Sequence, residues 1–316
     1  MSGKRFTAQQ HEEHRQRNAE RSRRQSTAGR EIGSIPPVQH PKRLAHAERS
    51  FRAFCDSYFP QTFTLPWSDD HLALIDRVEQ TVIHGRQFAV AAPRASGKTT
   101  IMERAVLWAL LTGRHSFVVL IGATADHAAT TLANLKAELS GNDLLLADFP
   151  AACFPIHQLE GEARRCSGQL HHGQRTHIGW AADQIILPTI PGSPCSGALI
   201  RVSGITGSIR GMLHTRPDGT SIRPSLAIID DPQTDESAKS LSQCAARLST
   251  INGAIANLAG PGRPMAMLAV MTVIAEGDLA DQLLNRDTHP EWHGERFRMV
   301  YAFPEAKAKW QEYADL

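Results

Sequence analysis

Apolar residues fall along this chain in two patterns, a helical recurrence in some windows and short unbroken runs in others. Leu44, Ala47, Phe51, Phe54, Cys55 and Tyr58 recur at helical spacing, which predicts an amphipathic helix ended by Pro60. Ser68-Asp69-Asp70-His71 reads as the cap of a second helix. Leu72, Leu74, Ile75, Val78, Val82 and Ile83 lie along its buried side, and Gly85 closes it. Phe88 opens a short apolar strand that runs into a tight loop at 93–99 and then a helix over 101–111, stopped by Gly113. Phe117-Val-Val-Leu-Ile-Gly122 is a continuous apolar run, the pattern of a strand buried on both faces. A further helix starts at Thr124 and turns Ala128, Leu132, Leu135 and Leu139 inward.

From 141 to 203 the pattern weakens. β-like pieces at 176–180, 184–187 and 198–202 are separated by Pro and Gly, as antiparallel strands added to a sheet edge would be. Two more buried strands are predicted at 225–230 and 265–272. Between them lies a helix of mostly small residues over 238–258, stopped by Gly260-Pro261-Gly262. This alternation predicts an α/β fold, a mostly parallel central sheet flanked by helices with added antiparallel edge strands.

Composition and charge refine that picture. The 316 residues, 41% of them hydrophobic, can bury one large core or two smaller ones. No apolar run of about 18 residues predicts a transmembrane helix, and the N-terminus lacks the apolar segment of a secretory signal. Five separated cysteines without a C-x-x-C pair suit a reducing cytoplasm. The net charge of +2 conceals an asymmetry: residues 1–52 carry 12 Lys/Arg against 5 Asp/Glu, and the remainder 22 against 27. A basic arm over 1–40 is therefore expected, poor in large apolar residues and either disordered or a lone frayed helix. It reads equally as a nucleic-acid contact or a solvated tail. The α/β body is expected over 41–290, and 291–316 as a connection beyond it.

The chemistry concentrates in two places. Pro93-Arg94-Ala95-Ser96-Gly97-Lys98-Thr99-Thr100 lies between a strand and a helix, where backbone N–H groups and the helix dipole favour a phosphate. Gly97 permits close backbone approach. Lys98 is placed to reach β- and γ-phosphates, and Thr99 to put its hydroxyl on Mg²⁺. Ala92 replaces the first glycine of the usual pattern, and a chance Ser-Gly-Lys-Thr at a helix N-terminus is the bland alternative. Downstream, Leu226-Ala-Ile-Ile-Asp230-Asp231 is a buried strand with two carboxylates at its C-terminal end, where open α/β sheets bind ligands. Asp230 suits a hard cation, and Asp231 suits orienting and polarising an attacking water. The competing reading is an ordinary Asp-Asp-Pro turn. Cys153, Cys166, His171, His172 and His177 cluster in sequence but match no common zinc spacing.

Taken in order, these pieces resemble the ATPase domain of the large terminase subunit of tailed bacteriophages, over roughly residues 65–290. The loop 93–100 resembles that family's phosphate loop, which tolerates the missing glycine and favours an early Arg. Ile205-Thr-Gly-Ser-Ile-Arg210-Gly211 is similar to the Arg-Gly segment before Walker B. Asp230-Asp231 resembles Walker B, and Val270-Met-Thr272 the threonine motif that couples hydrolysis to movement. The resemblance implies a RecA-like P-loop NTPase fold using ATP and Mg²⁺. It implies double-stranded DNA, a portal protein and a small terminase subunit as partners, and a homo-oligomeric ring in the bacterial host cytoplasm.

By position, Arg94 matches an arginine acting on the γ-phosphate in cis. Arg210 matches one that reaches a neighbouring subunit's nucleotide, or a structural arginine tying its loop to the sheet. Thr272 matches the coupling residue, or a hydroxyl satisfying backbone at a strand end. The family's adenine-contacting segment falls at 67–71, but no Gln stands there. The family's Asp-Glu is Asp-Asp here, so the second carboxylate must sit about 1.5 Å closer or act through a second water. A connection begins near 296–304, and no nuclease activity is expected of this chain. The alternatives are another RecA-like nucleic-acid ATPase, such as a helicase-like translocase, or a truncated prophage remnant that binds nucleotide or DNA without turnover.

Overall fold

The computed structural model describes residues 15–20, 30–302 and 305–315. Most of the basic arm lies outside the described residues, so the expectation of disorder there is not addressed. Residues 15–20 are helical.

One eight-stranded sheet organises the chain. Its strands are β1 (Gln87–Ala91), β2 (Phe117–Gly122), β3 (Gly179–Trp180), β4 (Gln184–Ile186), β5 (Leu199–Gly204), β6 (Leu226–Asp230), β7 (Ala266–Met271) and β8 (Glu295–Arg296). They lie in the order β8-β1-β7-β6-β2-β5-β4-β3. All pairings from β8 to β5 are parallel, and β4 and β3 add antiparallel strands at one edge. Two further two-stranded ribbons pair Leu170–His171 with Gln174–Arg175, and His214–Thr215 with Ser221–Ile222. The chain is thus α/β with a large, mostly parallel sheet, and that sheet continues to Glu295–Arg296.

Continuous apolar runs explain why the central strands must be covered on both faces. Every residue of β2, β6 and β7 is buried. Leu226 and Ile228 face one core, and Ala227 and Ile229 face the other. The first core is closed by helices α1 (Pro41–Arg49), α2 (Phe51–Tyr58), α3 (Asp69–His84), α4 (Lys98–Leu111) and α5 (Ala125–Gly141). The second is closed by Ile251, Ile255, Leu258, Leu279, Leu283 and Trp292.

Four expectations need correction. The helix expected through Leu44 to Tyr58 is two helices, because Ser50 is extended and its side chain accepts from Ala53 N to start α2. Glu79 reinforces that break, accepting from Phe51 N at 2.6 Å. The helix expected over 238–258 is three pieces: Asp235–Ala238, Leu241–Ser249 and a wider π-turn at Thr250–Ile255. Thr234 and Ser240 cap the first two, so each begins anew. The weakly patterned stretch after 141 contains helices Asp143–Asp148 and Pro150–His157, started by the Asn142 side chain and by a proline at the first turn. The strand expected over 176–180 is reduced to β3, since Thr176 is buried and bonded to Gln169.

Helix α4 is buried almost all round and is tied to the N-terminal helices through Trp108, whose indole N–H donates to Ala47 O at 2.8 Å. Its ring packs on Phe51, with centroids 5.4 Å apart. Trp108→Ala is expected to cost about 3–5 kcal/mol in denaturant unfolding. Trp108→Phe keeps most of the ring, loses the hydrogen bond, and should cost roughly 1–3 kcal/mol.

Candidate functional site

Strand β1 ends at Ala91, and Ala92 N still bonds Met271 O, so the chain leaves the sheet beside the end of β7. The loop then turns sharply. Ala95 has φ +61°, and Gly97, at φ +75°, is the residue before α4. No neighbour lies within 4 Å of where a Gly97 side chain would start, so its left-handed backbone is the reason for glycine there. No side chain caps the N-terminus of α4, which leaves its first-turn N–H groups available to an anion. From the other side, His71 of α3 meets the Ser96 carbonyl at 2.9 Å and holds the loop.

The sheet order brings the distant carboxylates to this loop. Lys98 Nζ lies 2.9 Å from Asp231 Oδ2, and Thr99 Oγ1 donates to Asp230 Oδ1 at 3.2 Å. Asp231 has φ +40°, a left-handed conformation unusual for a residue with a side chain. Its N–H bonds Val270 O, which fixes the turn at the end of β6.

Asp230 is 1% exposed, and its Oδ2 is buried without a hydrogen-bond partner among the described residues. Burial, with the neighbouring Asp231 charge adding, raises its carboxyl to about 6, while Thr99, His127 and Lys98 act in the opposite direction. A buried carboxylate with one unsatisfied oxygen beside a threonine hydroxyl is the donor chemistry a hard divalent cation takes. These residues fit Mg²⁺ in that sense.

The remaining expected residues are placed less closely. Arg94 is exposed and pairs with Asp235. Ser96 Oγ is buried without a hydrogen-bond partner among the described residues, as is Thr272 Oγ1. The Thr272 hydroxyl therefore does not satisfy backbone at the strand end, and that reading is withdrawn. Arg210 is exposed in the turn after β5, on the same C-terminal edge of the sheet but beyond β2, and makes no hydrogen bond or ion pair among the described residues. Pro93 and Thr100 lie in the loop and the first turn of α4. The cysteines and histidines considered for zinc do not assemble, for the described residues contain no group of three potential ligands.

Two polar residues that sequence reasoning passed over tie the site together. Gln233, 6% exposed, donates to Thr272 O at 3.0 Å and Asp278 Oδ2 at 2.8 Å, and accepts from Leu279 N at 3.1 Å. Asp278 is fully buried and also accepts from Ile274 N, Ala275 N and Asp281 N. The loop after the acidic strand and the loop after β7 thus form one bonded unit. Asp278 caps the short helix Leu279–Leu283 by accepting from Asp281 N, and nothing in the spacing marks Gln233.

Two crevices flank the loop. One of about 530 Å³ is lined by Pro93, Arg94, Thr272, Ile274, Arg296 and Phe297. The other, about 280 Å³, lies among Ser68, His71, the loop 92–96 and Phe297–Met299. Comparison of the chain with protein-family models and with curated proteins gives no match.

The raised Asp230 carboxyl has a pH signature. Below about pH 4 both folded and unfolded chains hold the proton; above about pH 6 the folded chain must release a proton that burial favours. Stability should therefore fall by about 3 kcal/mol across that window. Asp230→Asn should remove this loss, melt higher than the parent at pH 7.5 without Mg²⁺, and lose any Mg²⁺-dependent rise in melting temperature. Melting curves from pH 4 to 8, with and without MgCl₂, check all three.

Proposed function

We propose that this chain is an ATP-hydrolysing motor domain of the large-terminase kind, acting on double-stranded DNA in the bacterial cytoplasm. The observation that carries the reading is the contact of Lys98 and Thr99 with Asp231 and Asp230, groups more than 130 positions apart in sequence. Support also comes from the sheet, where β7 lies between the loop-bearing β1 and the acidic β6, as a RecA-like P-loop NTPase requires. No helix among the described residues is long and apolar enough to cross a membrane, which agrees with this reading.

When bound, Mg²⁺ would neutralise charge on the triphosphate and hold it in line. The chain's own groups have distinct tasks. Free N–H groups at the start of α4 and the loop 93–97 bind phosphate oxygens, and the Lys98 ammonium moves from Asp231 to phosphate. Thr99 and Asp230 hold the cation. Once Lys98 leaves, Asp231 is free to orient a water and accept its proton. Arg94, released from Asp235, reaches the γ-phosphate from the exposed side of the loop. An Arg210 that makes no hydrogen bond or ion pair among the described residues suits action on a neighbouring subunit in a homo-oligomeric ring. Portal and small-subunit partners come from the resemblance alone.

A second reading, nucleotide binding without turnover, is favoured by one feature. Asp231 is one methylene shorter than the family's Glu, is held in a left-handed turn, and spends its carboxylate on Lys98.

The motor reading expects DNA-stimulated phosphate release that Lys98→Ala lowers by about 10²–10³-fold. Asp231→Asn should lower kcat with KM little changed, and Asp231→Glu should keep or raise kcat. ATP binding with no phosphate release in the parent chain selects the second reading. For Arg210, mixing Arg210→Ala with Lys98→Ala chains should restore part of the activity that neither has alone. Strictly additive behaviour in the mixture removes the trans role.

A further inference from the structure

A large cleft lies away from the candidate nucleotide site. It has a volume of about 1350 Å³ and is walled by the 170–175 hairpin on one side and the 214–222 ribbon on the other. Ser116 and Gly197, which also line it, precede β2 and β5. The cleft therefore sits at the N-terminal edge of the sheet, while Lys98, Asp230 and Asp231 sit at the C-terminal edge.

Its lining is cationic. Two guanidinium groups, Arg175 and Arg216, stand against a single carboxylate, Asp218, with the imidazoles of His177 and His214 beside them. Asp218 accepts from Thr220 N and Thr220 Oγ1 on one oxygen, Oδ1, within its own turn, and these bonds, with the Arg216 charge adding less, lower its carboxyl. Arg175 is exposed and forms no ion pair among the described residues. Arg216 Nε is buried in the wall without an acceptor among the described residues. The field in the cleft is registered by His214, whose proton affinity is lowered by burial first and then by Arg216 and Arg201. Two guanidinium groups on different elements, neither in a direct ion pair among the described residues, are suited to bidentate recognition of phosphate oxygens.

The chain also enters the described core beside this cleft. Leu170 N donates to Arg30 O, and Ile32 N donates to Leu170 O, both at 2.9 Å. Glu31 accepts from His172 N and Gly173 N at 2.8 and 2.9 Å. Residues 30–32, within the basic arm, are thus fastened to the hairpin whose second strand carries Arg175. Residues 1–30 contain 8 Lys/Arg and 3 Asp/Glu.

We propose that this cleft is a phosphodiester-binding site, in which Arg175 and Arg216 hold the backbone of a DNA strand at the sheet edge opposite the nucleotide. The proposal deepens the DNA part of the function proposed above and requires no hydrolysis. Binding is therefore measured without nucleotide, so a failed ATPase assay leaves the result readable.

The test is fluorescence anisotropy of a labelled DNA oligonucleotide, single-stranded and duplex, with the full chain between 50 and 200 mM salt. Each phosphate contact contributes about 0.7–0.9 to the slope of log K against log salt. The double variant Arg175→Ala, Arg216→Ala should lower that slope by about 1.5 and weaken binding at 50 mM salt roughly tenfold or more. Arg216 is half-buried, so a melting curve accompanies it, and Gln174→Glu on the exposed rim supplies an independent variant that should also weaken binding. Unchanged slope and affinity in both variants would overturn the proposal. Inorganic pyrophosphate, added at equal phosphate concentration, should compete poorly. Competition as effective as that of unlabelled DNA would assign the cleft to a small phosphate ligand and overturn the polymer reading as well.

Discussion

A carboxylate buried at the end of a parallel strand is the constraint from which the rest of this molecule can be understood. Asp230 is surrounded by apolar strand residues and keeps one oxygen without a partner. Burying such a group is unfavourable unless something compensates its charge. Thr99 gives one hydrogen bond and Lys98 a nearby positive charge, yet the carboxyl remains raised to about 6. A fold that keeps an unsatisfied acid at its centre carries a local cost that a cation would remove, and unsatisfied buried groups concentrate at functional sites.

The same constraint explains the bonded loops around it. If Asp230 and Asp231 are to hold their positions, the turn after β6 cannot be loose. Gln233 is fixed from three sides, and Asp278, fully buried, accepts four hydrogen bonds from backbone N–H groups and Gln233. This gives the short loop after β7 a rigid connection to the acidic turn. Thr272 lies within that connection with its hydroxyl unpaired. A hydroxyl in that position has no structural duty to give up before it bonds something new.

How much of this the sequence disclosed depended on whether burial left a period. The strands at 117–122, 226–230 and 266–271 were legible because two-sided burial makes them continuous apolar runs. The loop 93–99 was legible because Gly97-Lys98 follows a strand and opens a helix. Legibility failed where side chains overrule period. Ser50 interrupts an unbroken helical recurrence by capping, and residues 143–157 are so uniformly apolar that no face stands out. Lys98 and Asp231 could be expected near one another from their positions at strand ends, but their direct ion pair and the left-handed turn at Asp231 could not. Gln233 left no trace at all, since its role depends on three atoms brought in from 272–279.

The two edges of the sheet are not mechanically separate. Strand β5 ends on the edge that carries Lys98 and Asp231, β6 begins on the opposite edge, and the chain over 205–225 must therefore cross between them. Backbone bonds anchor both ends, Ile205 N to Gly122 O at 2.9 Å and Ser225 N to Phe117 O at 3.0 Å. Between these anchors the segment carries Arg210 first and Arg216 six positions later. Both anchors are made to β2, a strand buried along its whole length, so the ends of the crossing are held while its middle is largely exposed. Any coupling between Arg216 and Arg210 along this connection would have to act in both directions. Two basic side chains, six positions apart on one tethered crossing, thus link the edge that carries Lys98 and Asp231 to the cleft at the other edge.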